Sequence, residues 1–174
     1  MITINSNELY KHLRRSNPEM SLHIDTVIGK MRQYSMEADK TGQVPDAFWS
    51  GIDVRMLNLD LVPLEYGGAG NMNTVLRRAL ISEQFGYADP GLTLALPGPG
   101  LSMPPLVGIA SEKQKEQVFS RFDTDRPCWG AFAITEPDAG SDATSISMTA
   151  TKDGDDFILN GEKCFITNGA RADY

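Results

Sequence analysis

The stretch Ile134 to Asp142, ITEPDAGSD, crowds together groups that can hold a charged ligand: three carboxylates (Glu136, Asp138, Asp142), two hydroxyls (Thr135, Ser141) and a glycine. An apolar, strand-like run ends at Ile134 and Thr135. Pro137 stiffens the exit, and Gly140-Ser141 can expose peptide N–H groups beside a small hydroxyl. Such a turn can cradle a diphosphate, or the edge of a flat ring, without a cationic side chain. Taken alone, the stretch reads equally as a polar loop. Further on, FITNG (Phe165 to Gly169) repeats the theme, with an aromatic, an apolar residue and a threonine ahead of an Asn-Gly turn. An aromatic face can cover a heteroaromatic ring and a threonine hydroxyl can donate to its polar edge, although aromatics are also ordinary strand residues.

Other candidates are weaker. Gly67-Gly68-Ala69-Gly70 lacks the strand and helix that flank a dinucleotide fingerprint, and Gly154 to Lys163 lacks phosphate-loop spacing. Asp153, Asp155 and Asp156 lack the later glutamate of a calcium loop. Cys128 and Cys164 are far apart with no histidine nearby, so they read as reduced side chains, and no metal site is expected. The formal net charge of -7 argues against nucleic-acid binding, which needs clustered Lys and Arg. No signal core or membrane-length apolar run is found, so a cytoplasmic protein without membrane insertion is expected.

These motifs must be positioned by a chain that changes period midway. Ile24, Val27, Ile28, Met31, Ser35 and Ala38 follow helical steps from Leu22 to about Thr41, with Gly42 as the stop. Pro45 is expected in the first turn of a second helix carrying Phe48, Ile52 and Met56. Asn73 is expected to cap a third, with Leu76, Ala79, Leu80, Glu83 and Tyr87 on one face and Arg77 and Arg78 pointing elsewhere. Ser111 and Gln114 have capping-box spacing ahead of Val118, Phe119 and Phe122. After about Phe122 the period drops to two. Strands are expected at Trp129 to Thr135, around Ile146 to Ala150, at Phe157 to Leu159 and at Lys163 to Thr167, with turns at Asp153-Gly154 and Asn160-Gly161. The fold class is therefore α+β: an N-terminal all-helical bundle over 1–124, then the first strands of an antiparallel β domain over 125–174. That β region is shorter than a closed barrel or sandwich needs.

At this point the residues resemble the acyl-CoA dehydrogenase family. AFAITEPDAGSD (131–142) and GDDFILNGEKCFITNG (154–169) resemble its middle-domain signature, while LVPLEYGGAG (61–70) and SEKQKEQVFSRF (111–122) resemble its N-terminal helical domain in order and spacing. The resemblance implies an FAD enzyme that desaturates an acyl thioester between its α and β carbons to a trans-2-enoyl product. The substrate would be carried on CoA or on a carrier protein, with electrons passed to an electron-transfer flavoprotein from a homo-oligomer. An acyl-CoA oxidase that reoxidises flavin with oxygen, and a noncatalytic interaction module of the same fold, are the alternatives.

Carried over by motif, the resemblance implies that Phe132, Ile134 and Thr135 line the flavin ring and that Gly140 and Ser141 approach the diphosphate. Ser141 would also touch the thioester. Phe165 would cover one ring face, with Ile166 and Thr167 beside it. Phe165 stands where many members have tryptophan, and Asp138 where some have glycine. Thr93, Pro97 and Leu101 occupy the part of the family that lines the acyl cavity. The family's base is a carboxylate from its C-terminal domain, and no residue here matches that motif. No catalytic residue is therefore assigned, and the 174 residues alone are expected not to turn over substrate.

Overall fold

The computed structural model describes residues 6–69 and 75–174. The expected cap at Asn73 lies outside them. Helix α1 (Ser6–Ser16) leads into α2 (Pro18–Thr41), where the Asn17 side chain accepts from the Met20 N–H and Pro18 fills the first turn. Gly42 ends α2 in the left-handed conformation, φ 68°, and donates to the Ala38 carbonyl. The expected face is the buried one: Ile24, Val27, Ile28 and Met31 pack with Phe48, Ile52, Leu57, Leu80, Ile81 and Phe85. The helix begins earlier than its periodicity suggested, because the Asn17-Pro18 start signal precedes the first apolar step.

The second expected helix is split. Pro45 precedes a short 3-10 turn, Asp46–Trp49, and a new helix α3 (Val54–Leu59) starts at Asp53, whose carboxylate accepts from the Met56 N–H. Gly51, at φ 80°, breaks the run between them. Helix α4 (Val75–Ala88) is also rotated from expectation. Its buried residues are Arg77, Leu80, Ile81 and Phe85, while Leu76, Ala79, Glu83 and Tyr87 are exposed. Arg77, expected to point outward, is only 5% exposed, because its guanidinium donates to Asp60 Oδ1 at 2.9 Å.

Helix α5 (Pro90–Ala95) starts on Asp89, which accepts from the Leu92 N–H. Helices α6 (Met103–Ile109) and α7 (Glu112–Phe119) follow, and α7 carries the expected Ser111/Gln114 capping box. Val118, Phe119 and Phe122 join Leu59, Val62 and Cys128 in a second core.

Beyond it, β1 (Thr149–Asp153) and β2 (Asp156–Asn160) form a two-stranded antiparallel hairpin about Gly154, pairing Thr151 with Ile158 and Thr149 with Asn160. The other two expected strands do not form. Trp129 to Thr135 is met piecemeal: Gly98 makes one parallel bridge to Trp129, Ala131 donates to the Tyr174 carbonyl and Cys164 donates to that of Thr135. Lys163 to Thr167 is interrupted by Phe165 at φ 56°, a conformation that a ladder cannot contain, so the Asn160-Gly161 hairpin is absent. Among the described residues no helix is long and apolar enough to cross a membrane.

Candidate functional site

Asn58 sets the wall on which the site is built. Fully buried at the end of α3, it donates to the carbonyls of Thr124 and Arg126, each at 2.8 Å, and accepts from the Cys128 N–H at 3.1 Å. Both halves of its amide are used. The segment entering the β region is thereby fixed to the helices. Gly130 then passes so close to the loop after α5 that a Cβ would stand 2.5 Å from the Pro99 carbonyl oxygen and 2.6 Å from Ser102 Oγ. Only glycine allows that approach.

Next, Glu136 fixes the loop. It is 4% exposed and accepts from Lys163 Nζ at 2.7 Å, Ser147 N at 2.6 Å, Ser147 Oγ at 2.9 Å and Met148 N at 3.0 Å. Lys163, followed by the Ser147 peptide, holds the carboxyl down at about 2. Glu136 and Ala139 also exchange two backbone hydrogen bonds, 3.0 and 3.2 Å, which close the EPDA turn. Asp142 accepts from Thr144 and Ser145, which lower its pKa. Two of the three carboxylates in ITEPDAGSD therefore organise the loop itself. Asp138 is exposed.

Lys163 makes a second bond, to the Ile134 carbonyl at 2.9 Å, and Cys164 N–H reaches the Thr135 carbonyl at 2.9 Å. These contacts draw the two motifs together. Phe132, Ile134 and Thr135 from one, and Phe165, Ile166 and Thr167 from the other, line a single cavity of about 500 Å³. Thr93, Pro97 and Leu101 line it as well. The Thr93 hydroxyl is turned to its own helix, donating to the Asp89 carbonyl at 2.7 Å. Gly140 and Ser141 follow the EPDA turn, exposed, and are not part of the lining. A larger cavity of about 850 Å³, between the end of α2 and residues 166–171, contains only Ile166 of the expected site residues. The smaller cavity, where both motifs meet, is the better site.

Several cavity residues carried no sequence motif. Leu57 and Asp60 come from α3 and its end, and Arg78, Ile81, Ser82 and Phe85 from one face of α4. Their i, i+3, i+4, i+7 spacing was the available signal, but the apolar positions of α4 fit more than one face. Lys163 was also missed, because its role depends on a contact 27 residues away.

The residues present suit a flat heteroaromatic group with a polar edge. Phe165 is 93% exposed, and its backbone is left-handed. The hydroxyls of Thr135, Thr167 and Ser141 make no hydrogen bond to any described residue. The same holds for the peptide N–H groups of Phe132 to Thr135 and of Gly140 and Ser141. For an anionic end the chain offers those last two N–H groups in open space, since a Cβ on Gly140 would meet nothing within 4 Å. Among the described residues no cluster of acids, histidines or cysteines could hold a metal ion.

Comparison with known proteins agrees with this layout. The family model for the acyl-CoA dehydrogenase N-terminal domain matches residues 25–123, and that for the acyl-CoA dehydrogenase middle domain matches 131–174. The chain is 40% identical over 113 residues to a cyclohex-1-ene-1-carbonyl-CoA dehydrogenase of Syntrophus aciditrophicus, covering 65% of this chain and 27% of that protein. It is 35% identical over 111 residues to a probable mitochondrial medium-chain specific acyl-CoA dehydrogenase of Caenorhabditis briggsae, covering 64% and 26%. The structure of butyryl-CoA dehydrogenase from Megasphaera elsdenii superposes with a TM-score of 0.71 at 27% identity, over 99% of this chain and 43% of that one. The chain thus spans about a quarter of the length of these curated relatives. With its helical and β segments matched in order and over most of their length, the chain belongs to the acyl-CoA dehydrogenase family.

Proposed function

We propose that the chain supplies the flavin-facing wall and part of the acyl cavity of an FAD-dependent acyl-CoA dehydrogenase, with its helical part over 1–124 and its β part over 125–174. The observation that carries this reading is the convergence of ITEPDAGSD and FITNG on one cavity that Thr93, Pro97 and Leu101 also line. Bound FAD would supply hydride acceptance from the β carbon of the thioester. This chain's residues bind and orient. The Phe165 ring covers one face of the flat group, Phe132, Ile134 and Ile166 keep water from it, and the Thr135 and Thr167 hydroxyls donate to its polar edge. Gly140 and Ser141 offer peptide N–H groups to the diphosphate, and the Ser141 hydroxyl reaches the thioester.

The α-proton needs a base, and among the described residues no uncommitted carboxylate stands on the cavity wall. Asp60 is the one carboxylate among the described lining residues, and its Oδ1 is engaged by the Arg77 guanidinium at 2.9 Å. Glu136 is enclosed by four donors. Both carboxylates are thus committed to partners within the fold. The base therefore comes from outside these 174 residues, and electrons leave to an electron-transfer flavoprotein.

The test is anaerobic titration of the FAD-reconstituted full-length protein with a straight-chain acyl-CoA. Loss of the oxidised flavin absorbance with formation of the 2-enoyl thioester is expected. Failure of the protein to retain FAD would overturn the reading. Dye reduction without hydrogen peroxide formation in air separates a dehydrogenase from an oxidase. The isolated 174-residue chain is expected to give neither signal.

A further inference from the structure

One face of α4 adds a feature that the flavin and thioester do not use. Arg78, Ile81, Ser82 and Phe85 all line the cavity, in a wall otherwise built largely from apolar side chains such as Leu57, Leu61 and Leu96. A charge on such a wall carries a desolvation cost unless something answers it. Arg78 is half-buried and makes no hydrogen bond or ion pair with any described residue.

The neighbouring arginine differs. Arg77 is buried and donates to Asp60, the one carboxylate among the described residues of the cavity wall. Asp60 is thus answered from outside the cavity, and among the described residues Arg78 is the charge on its surface that no partner answers. Elsewhere Arg55 pairs with Asp123, Arg126 with Asp173, and Arg171 stacks 4.6 Å from the Trp129 ring centroid. Ser82 stands one turn from Arg78, and its hydroxyl is likewise uncommitted.

We propose that the acyl group taken by this cavity ends in a carboxylate, bound by the Arg78 guanidinium with the Ser82 hydroxyl as a second donor. The substrate class is then an ω-carboxyacyl thioester. Arginine suits the task because its planar fork can meet both oxygens of a carboxylate. The inference rests on the reading of the cavity as an acyl site.

It is tested with the FAD-loaded full-length protein and two thioesters of equal chain length, adipoyl-CoA and hexanoyl-CoA. Binding is followed anaerobically by calorimetry and by flavin difference spectra, with Arg78→Met, Arg78→Lys and Ser82→Ala beside the unaltered protein. Adipoyl-CoA is expected to bind at least about tenfold tighter than hexanoyl-CoA. Arg78→Met should weaken adipoyl-CoA at least about thirtyfold while moving hexanoyl-CoA less than about threefold, with Arg78→Lys between. If Arg78→Met does not fold, the adipoyl preference of the unaltered protein and its decline in the lysine and alanine variants decide. Equal or stronger binding of hexanoyl-CoA by the unaltered protein would overturn the proposal. So would an equal loss for both thioesters, which would assign Arg78 to the CoA phosphates, or no loss for either. Binding of neither thioester would instead remove the acyl-site reading itself, and this proposal with it.

Discussion

Lys163 Nζ stands 2.7 Å from Glu136 Oε1, across 27 residues of chain, and this contact holds the two cavity motifs side by side. The Ser147 and Met148 peptides and the Ser147 hydroxyl complete the shell around the carboxylate. The folded carboxyl is lowered from 4.5 to about 2, first by Lys163 and then by the Ser147 peptide. A depressed carboxyl contributes stability that is fully present above the unfolded value and is lost as pH falls through the folded one. The window is therefore about pH 4.5 down to 2. Amide-exchange protection at Ser147 and Met148 should hold at pH 6 and decline across that window. Glu136→Gln should lower protection at neutral pH and flatten its pH dependence. Unchanged protection down to pH 2 would refute the anchor.

Asn58 is expected to be costly to replace. Asn58→Leu leaves two carbonyls and one N–H in a buried place without their partners, so a loss of about 2–4 kcal/mol is expected in urea unfolding. A loss below about 1 kcal/mol would mean that the wall is held by other contacts.

Two glycines make a contrasting pair. Gly130→Ala forces a Cβ against the Pro99 carbonyl oxygen, and about 1–3 kcal/mol of destabilisation is expected with weaker flavin retention. Gly140→Ala meets open space, so its stability should stay within about 0.5 kcal/mol. If Gly140→Ala also leaves FAD affinity unchanged, the diphosphate does not approach that residue closely.

The cysteines should separate cleanly by alkylation. Burial, followed by the Asp173 carboxylate, pushes the Cys128 thiol up to about 11, leaving about one thiolate per thousand at pH 8. Cys164 is half-buried. Iodoacetamide at pH 8 should therefore label Cys164 first by mass spectrometry, with Cys128 reacting only on unfolding. Rapid labelling of Cys128 in the folded protein would contradict the packing of the second core.

Where structure was legible in the sequence, the signal was local. The Gly42 stop of α2 and the capping box of α7 are satisfied within a few residues of themselves, whereas the equally local Asn17-Pro18 start was passed over because it precedes the first apolar step. The two motifs were also legible, because each is written in consecutive residues, and parts of both line one cavity. The errors have long-range causes. Nothing near Arg77 announces that Asp60, 17 residues earlier, will draw it inward and turn α4. Phe165 reads as a strand residue, yet its backbone is left-handed where Lys163 and Cys164 are already tied to Ile134 and Thr135. Periodicity alone also overstated the strands, since an extended segment becomes a strand only where a neighbour completes its ladder.

The backbone ties at the far end of the chain set an order of events. Ala131 N–H bonds to the Tyr174 carbonyl, Asp173 bonds back to Trp129, and Arg171 reaches the Ala95 carbonyl. The helical core has all its buried members by residue 92, so it can assemble while the rest is still being synthesised. The ties that residues 163–174 give to the cavity wall at 129–135 form only once that stretch has emerged from the ribosome. Until then its apolar side chains lack part of their cover, and the growing chain carries that exposed apolar surface.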